Sequence, residues 1–240
     1  MAETMKTYVA LILDKSGSML DIVDEARNNF NEQLQVLKEE SNSPDAVAKK
    51  VLMAKDPQSV VDGVETRVSV VIFNDKIDEI DFDVDVNEIS EITSSEYKPD
   101  GMTALYDAVG LTIDKFVDHY DLTEPNTGVL FVIVTDGQEN SSKNYAGEEG
   151  RKRLKSKIDE LTASDKWTFT FLGTEDALDQ AQSMGISSSM SFDKANFSAD
   201  MMAHSVGTRS YYDSRKSGAT AVASFYDDSS VATKDEENED

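Results

Sequence analysis

The sequence contains no cysteine, and this absence excludes three kinds of chemistry. Disulfide bridges cannot form, zinc cannot be held by thiolates, and no thiol is present to act as a nucleophile. Histidine is also scarce: only His119 and His204 occur, and neither stands beside an obvious nucleophile in the sequence. A metal site in this chain must therefore be built mainly from oxygen ligands.

Long apolar runs are missing as well. The most apolar stretch near the N-terminus covers residues 7–13 and ends at Asp14. It is too short for a transmembrane helix, and no cleavage pattern of a signal peptide follows it. We therefore expect no membrane span, no signal peptide and a cytoplasmic location.

Positive charge is in short supply. Lysine and arginine together number 23 against 47 aspartates and glutamates, which gives a formal net charge of −24. This balance argues against nucleic acid and against an anionic membrane surface as partners, because both attract cationic proteins. Residues 227–240 are especially acidic and are expected to form a disordered tail.

The sequence also lacks the motifs of common nucleotide-dependent enzymes. Neither a Gly-x-Gly-x-x-Gly fingerprint nor a phosphate-binding Gly-Lys-Ser/Thr loop is present. A phosphatase that forms an aspartyl-phosphate on Asp14 would need a second carboxylate two residues later, where this chain has Ser16. We therefore expect that the protein is not an enzyme.

Short apolar runs alternate with segments of helical periodicity along most of the chain. The apolar runs predict strands at residues 8–13, 66–73, 77–84, 129–134, 167–172 and 189–192. The periodic segments predict helices at residues 19–37, 46–54, 105–120, 147–161, 175–183 and 196–205. This alternation is typical of an α/β fold with a doubly wound, mostly parallel sheet between helices, here with one antiparallel edge strand.

Three polar clusters lie next to these strands and helices. We expect them to come together where the carboxyl ends of the strands meet. Asp14, Ser16 and Ser18 follow the first strand, Thr103 enters a helix, and Asp136 follows the very apolar strand at 129–134. Ligands of such sheets bind at the carboxyl ends of strands, where the winding reverses. Hydroxyl and carboxylate oxygens favour a hard cation, namely Mg²⁺ with Mn²⁺ and Ca²⁺ as alternatives.

These five residues resemble the metal-ion-dependent adhesion site (MIDAS) of von Willebrand factor A (VWA) domains. Asp14-x-Ser16-x-Ser18, Thr103 and Asp136 match that motif one for one and in order. The sequence 131–140 (FVIVTDGQEN) and the sequence 167–173 (WTFTFLG) are most similar to small intracellular bacterial and phage members near the tellurium-resistance proteins. The resemblance implies one VWA domain over residues 1–226, with a core at about 7–192, an insertion at 41–63 and a C-terminal extension at 193–226.

The resemblance also implies a function. In that family the two serines and the threonine contact the metal, the aspartates often act through water, and a partner's Asp or Glu carboxylate completes the coordination. We therefore expect a metal-dependent protein-binding module. Two alternatives stay open: an assembly subunit that uses another surface, and a regulatory subunit linked to metal or stress.

Overall fold

The computed structural model describes residues 4–42, 63–222 and 224–226. Its strands are β1 (Met5–Asp14), β2 (Val64–Phe73), β3 (Ile77–Asp85), β4 (Thr127–Thr135), β5 (Trp167–Gly173) and β6 (Ser189–Ser191). Its α-helices are α1 (Val23–Asn42), α2 (Leu105–His119), α3 (Gly147–Ala163), α4 (Glu175–Met184) and α5 (Phe197–Lys216). Two 3-10 turns, Gly17–Ile22 and Lys194–Asn196, precede α1 and α5.

The six strands form one sheet in the order β3-β2-β1-β4-β5-β6. Only β3 is antiparallel to its neighbour, and it lies at an edge, which confirms the predicted fold class. The chain first winds outward from β1 to β3 and then returns to the other side of β1 at β4. The winding therefore reverses between β1 and β4, and a crevice opens beyond their carboxyl ends.

The core lies in two layers because side chains of a strand alternate between the two faces of a sheet. On one face Val9, Leu11 and Leu13 pack towards α1 and α5. On the other face Ala10 and Ile12 pack with residues of α2, α3 and α4. All nine residues of β4 are buried, as expected of a strand that is covered on both faces.

The last helix is longer than the sequence predicted. The periodic pattern predicted a helix over residues 196–205, whereas α5 continues to Lys216 and packs against α1. Its second half buries Tyr211, Tyr212 and Arg215, so residues beyond 192 belong to the packed core. The pattern failed there because two tyrosines and an arginine do not form an apolar stripe in sequence.

The predicted helix at 46–54, most of the 41–63 insertion and the acidic tail at 227–240 lie outside the described residues. Residues 41 and 42 complete α1, and Gly63 precedes β2. None of the helices in the described ranges has the length and apolar character that a membrane crossing requires.

Candidate metal centre

The predicted site residues lie at the crevice where the winding reverses. Asp14 is the last residue of β1, and Asp136 directly follows β4, the strand beside it. Lys15 N donates to Phe73 O at 2.6 Å, which holds the chain leaving β1 against the end of β2. The fold thus brings residues that are far apart in sequence together at the carboxyl ends of these adjacent strands.

Asp14 is a fully buried carboxylate that is held by two donors. Its Oδ1 accepts from Ser16 N and its Oδ2 accepts from Thr135 Oγ1, each at 2.6 Å. Burial raises the pKa of the Asp14 carboxyl to about 6, and the negative charge of Asp136 adds a smaller rise, although the hydrogen bonds oppose both. A buried carboxylate beside a second carboxylate is short of positive charge, which is the electrostatic condition for binding a cation.

Ser16, Ser18 and Asp136 form a chain of oxygens across the crevice. Ser16 Oγ lies 3.1 Å from Ser18 Oγ, and Ser18 Oγ donates to Asp136 Oδ1 at 2.6 Å. Ser16 is at the N-cap of the first 3-10 turn, and its side chain makes no capping hydrogen bond. Both hydroxyls therefore face the site rather than the backbone of the helix.

Thr103 is buried, and the loop that carries it is held from both sides. On one side, Ala104 N donates to Asn74 O at 2.7 Å, and Asn74 Nδ2 donates to Asp100 Oδ1 at 2.6 Å. On the other side, Thr103 N donates to Asn140 Oδ1 at 2.8 Å, and Asn140 N donates back to Thr103 O at 3.0 Å. The N-cap of α2 is Ala104, so Thr103 precedes the helix and does not cap it.

Two residues in the loop after Asp136 brace neighbouring segments through hydrogen bonds. Glu139 accepts from Tyr106 N at 2.8 Å and Ser142 N at 2.7 Å, while Asn140 brackets Thr103. No periodicity marks such contacts, because both residues bind backbone groups more than 30 residues away, in the Thr103 loop and the first turn of α2.

Gly137 shows how closely the site is packed. A Cβ atom on Gly137 would lie 2.8 Å from Thr103 Oγ1 and 3.3 Å from Asp14 Oδ2. Oxygens of Asp14 and Thr103 therefore face one small space beside Gly137, the residue that follows Asp136. All five predicted residues, Asp14, Ser16, Ser18, Thr103 and Asp136, thus surround this end of the crevice.

The donor set fits a hard divalent cation. It consists of three hydroxyls and two carboxylates, without nitrogen or sulfur, as Mg²⁺ and Ca²⁺ prefer. Within the described ranges, no group of three or more His, Cys, Asp or Glu side chains is arranged to hold a metal. A metal site in the described part of the chain would therefore need hydroxyl ligands as well. At the crevice, three hydroxyls stand beside two carboxylates.

Sequence reasoning missed one residue at this site. Lys194, in the turn before α5, places its Nζ 2.5 Å from Asp136 Oδ2 and donates to Ser18 O at 2.6 Å. The Asp136 side chain is fully buried, whereas that of Lys194 is 31% exposed. The ammonium is 176 residues from Ser18 in sequence, and no motif links the two.

Replacing Gly137 with alanine should weaken metal binding without unfolding the protein. The added methyl group would enter the space between Thr103 Oγ1 and Asp14 Oδ2 and push these oxygens apart. We expect the Mn²⁺ affinity to fall at least about tenfold, a loss of about 1.4 kcal/mol, as measured by calorimetric titration. Gly147→Ala is a control for adding a methyl group, because a Cβ there meets no atom within 4 Å, although its positive φ of 66° adds backbone strain. Equal affinities for the Gly137→Ala variant and the unaltered protein would show that this space is not the metal position.

No family model matches the chain, and no curated protein matches it in sequence. Solved structures do match. The PilB minor pilin from Streptococcus sanguinis is 11% identical with a TM-score of 0.56, over 85% of this chain and 61% of the pilin. The vWF domain of the type V pili tip protein Mfa5 from Porphyromonas gingivalis is 9% identical with a TM-score of 0.50, over 86% and 96%.

A third match is the manganese-loaded TRAP protein from Plasmodium vivax, 15% identical with a TM-score of 0.50 over 82% of this chain and 71% of TRAP. The chain spans less than half the length of several other matched structures. At these identities the likeness concerns architecture alone. The chain has a fold of the von Willebrand factor A type.

Proposed function

We propose that the protein is a divalent-metal-dependent protein-binding module, in which an Asp or Glu side chain of a partner completes the coordination of a bound Mg²⁺. Under this proposal the hydroxyls of Ser16, Ser18 and Thr103 are direct ligands, and Asp14 and Asp136 act directly or through water. A divalent ion held mainly by neutral hydroxyls keeps excess positive charge, which attracts one more anionic oxygen. Mn²⁺ and Ca²⁺ suit the same oxygens.

One observation carries the proposal. Five oxygen-bearing residues from three separate loops surround one end of the crevice, although Ser18 and Asp136 are 118 residues apart. Burying the Asp14 carboxylate costs stability, and its hydrogen bonds offset that cost only in part, because its pKa is still raised to about 6. A cation bound among these oxygens would offset the remainder.

The proposal includes no catalytic step, no nucleic acid and no membrane. Neither histidine contacts one of the five candidate ligands, since His119 pairs with Asp83 and His204 is buried against Gln33. The net charge of −24 disfavours polyanionic partners. An acidic side chain on a partner is compatible with this charge only if a bound cation neutralises the site locally.

The metal step is tested by replacing Thr103 with valine, which removes the hydroxyl and keeps the shape. We expect Mn²⁺ binding, followed by electron paramagnetic resonance, to weaken about tenfold or more, because a ligand to the ion is lost. Thr112→Val is the matched control: Thr112 is also buried, and its hydroxyl donates only within α2, to Ala108 O. If both variants bind Mn²⁺ as the unaltered protein does, the proposed site is wrong.

The partner step is tested by passing a cell extract over the immobilised protein with Mg²⁺ or with chelator. A protein retained only with Mg²⁺, and lost on the Thr103→Val column, supports the proposal once a single Asp or Glu of that protein is shown to be required. Retention that ignores both the metal and the variant would favour the alternative of an assembly or regulatory subunit that binds through another surface.

A further inference from the structure

Lys194 supplies positive charge to the candidate metal centre from within the chain. Its ammonium contacts two of the five predicted metal-binding residues, through Asp136 Oδ2 at 2.5 Å and Ser18 O at 2.6 Å. Asp136 Oδ1 is already bonded to Ser18 Oγ. Among the described residues, the ammonium is the only cationic group that contacts the remaining oxygen of Asp136.

The ion pair joins a buried carboxylate to a partly exposed ammonium. The Asp136 side chain is fully buried, so its charge is poorly screened by water and interacts strongly with whatever cation is nearest. The Lys194 side chain is 31% exposed, so its ammonium regains contact with water when it leaves Asp136. The lysine, and not the buried carboxylate, is therefore the partner that can move away.

The backbone near Lys194 is anchored independently of this ion pair. Phe192 and Phe197, on either side, are both buried, and their rings pack edge to face at 4.8 Å. Asp193 caps the turn by accepting from Ala195 N at 3.0 Å, and Asp193 N donates to Asp200 Oδ2 at 3.1 Å. The ammonium can therefore leave the site by a side-chain rotation while α5 keeps its place.

From this arrangement we propose that Lys194 is an intramolecular counter-cation, which neutralises Asp136 in the metal-free protein and must be displaced when a divalent metal binds. The inference rests on the proposed function, because it concerns regulation of the same site. The lysine sets the metal affinity below what the five oxygen ligands alone would give. It also keeps the buried carboxylate paired when no metal is present.

The test replaces Lys194 with methionine, which keeps the aliphatic stem and removes the charge. Mn²⁺ is titrated calorimetrically into the chelator-treated protein. We expect the Lys194→Met variant to bind Mn²⁺ about tenfold more tightly, because no ammonium has to be displaced, and its metal-free form to melt at a lower temperature, because Asp136 is left unpaired.

Lys15→Met is the matched control. Lys15 adjoins Asp14 in sequence, but its ammonium pairs with Asp78 at 2.6 Å and not with a predicted ligand. The Lys15→Met substitution removes the same charge from the same region of the protein. We expect the Mn²⁺ affinity of this variant to change by no more than about twofold.

The outcomes separate the two proposals. Equal or weaker Mn²⁺ binding by Lys194→Met, with the unaltered protein binding normally, overturns the role of Lys194 and leaves the metal site standing. An equal gain in Lys15→Met also overturns it, because the effect would then come from general charge. Failure of the unaltered protein to bind Mn²⁺ or Mg²⁺ overturns the proposed function and this inference together.

Discussion

Replacing Asp14 with asparagine is expected to stabilise the metal-free protein at neutral pH and to abolish its stabilisation by metal. Asparagine fits the site: its Oδ1 can accept from Ser16 N, and its Nδ2 can donate to Thr135 Oγ1, since that hydroxyl can redirect its proton to Gly137 O at 3.4 Å. The substitution thus keeps the two hydrogen bonds and removes the buried charge.

The size of the effect follows from the pKa of Asp14. Burial raises it from an ordinary value of 3.8 to about 6. Below pH 3.8 the carboxyl is protonated in both the folded and the unfolded states, so it costs nothing. Between pH 3.8 and 6 the folded state binds more protons, so stability falls as the pH rises, and above pH 6 a cost of about 3 kcal/mol remains.

Urea denaturation at several pH values measures this cost. At pH 7.5 without metal, we expect Asp14→Asn to be more stable by up to about 3 kcal/mol, or roughly 6–12 °C in melting temperature. The difference should disappear near pH 4. With saturating Mg²⁺ the order should reverse, because only the unaltered protein gains binding free energy. A metal-free variant that is less stable at pH 7.5 would show that the charge of Asp14 is already compensated.

Replacing Arg215 with methionine is expected to cause the largest loss of stability. The guanidinium is fully buried near the amino ends of β1 and β4, at the opposite end of these strands from the candidate metal centre. It donates to Thr7 Oγ1 at 3.0 Å and to the carbonyl oxygens of Lys6, Asn126 and Ala219 at 2.5, 2.8 and 2.7 Å. Methionine would leave these acceptors unsatisfied in the interior, at a cost of about 3–5 kcal/mol.

Arg209→Met provides the control, because it removes an arginine from the same helix. Its side chain is 46% exposed, and it lies 3.5–3.6 Å from carboxylates of Glu39 and Glu40. We expect this variant to lose less than about 1 kcal/mol of unfolding free energy in urea. A similarly small loss for Arg215→Met would mean that water replaces the guanidinium, and that the C-terminal segment is not anchored through it.

The sequence predicts the strands of the sheet well and the second half of the last helix poorly. β1 and β4 are short apolar runs that end in polar loops, so their buried position and the meeting of Asp14 with Asp136 follow from general rules. The second half of α5 does not follow, because it packs with Tyr211, Tyr212 and the polar Arg215. The predicted ligand roles of the five residues stay predictions until metal binding is measured.

The sequence predicts the five oxygen-bearing residues of the candidate site but not the residues that hold them in place. Spacing within one segment identifies Asp14, Ser16 and Ser18 as candidates. Thr103 and Asp136 are identified by their positions next to a predicted helix and a predicted strand. Lys194 and Asn140 each act through two polar contacts, with partners up to 176 and 37 residues away in sequence. Such contacts leave no trace in periodicity or composition, so only coordinates reveal them.

The bracing of the Thr103 loop by Asn74 and Asn140 has a thermodynamic consequence. A loop that is already ordered loses little conformational freedom when a ligand arrives, so its ordering does not have to be offset by binding free energy. Little apolar surface would be newly buried either, and the heat-capacity change on metal binding should be close to zero. The ion would then enter a site with a rigid backbone, and only the Lys194 side chain would have to move as the cation loses its water.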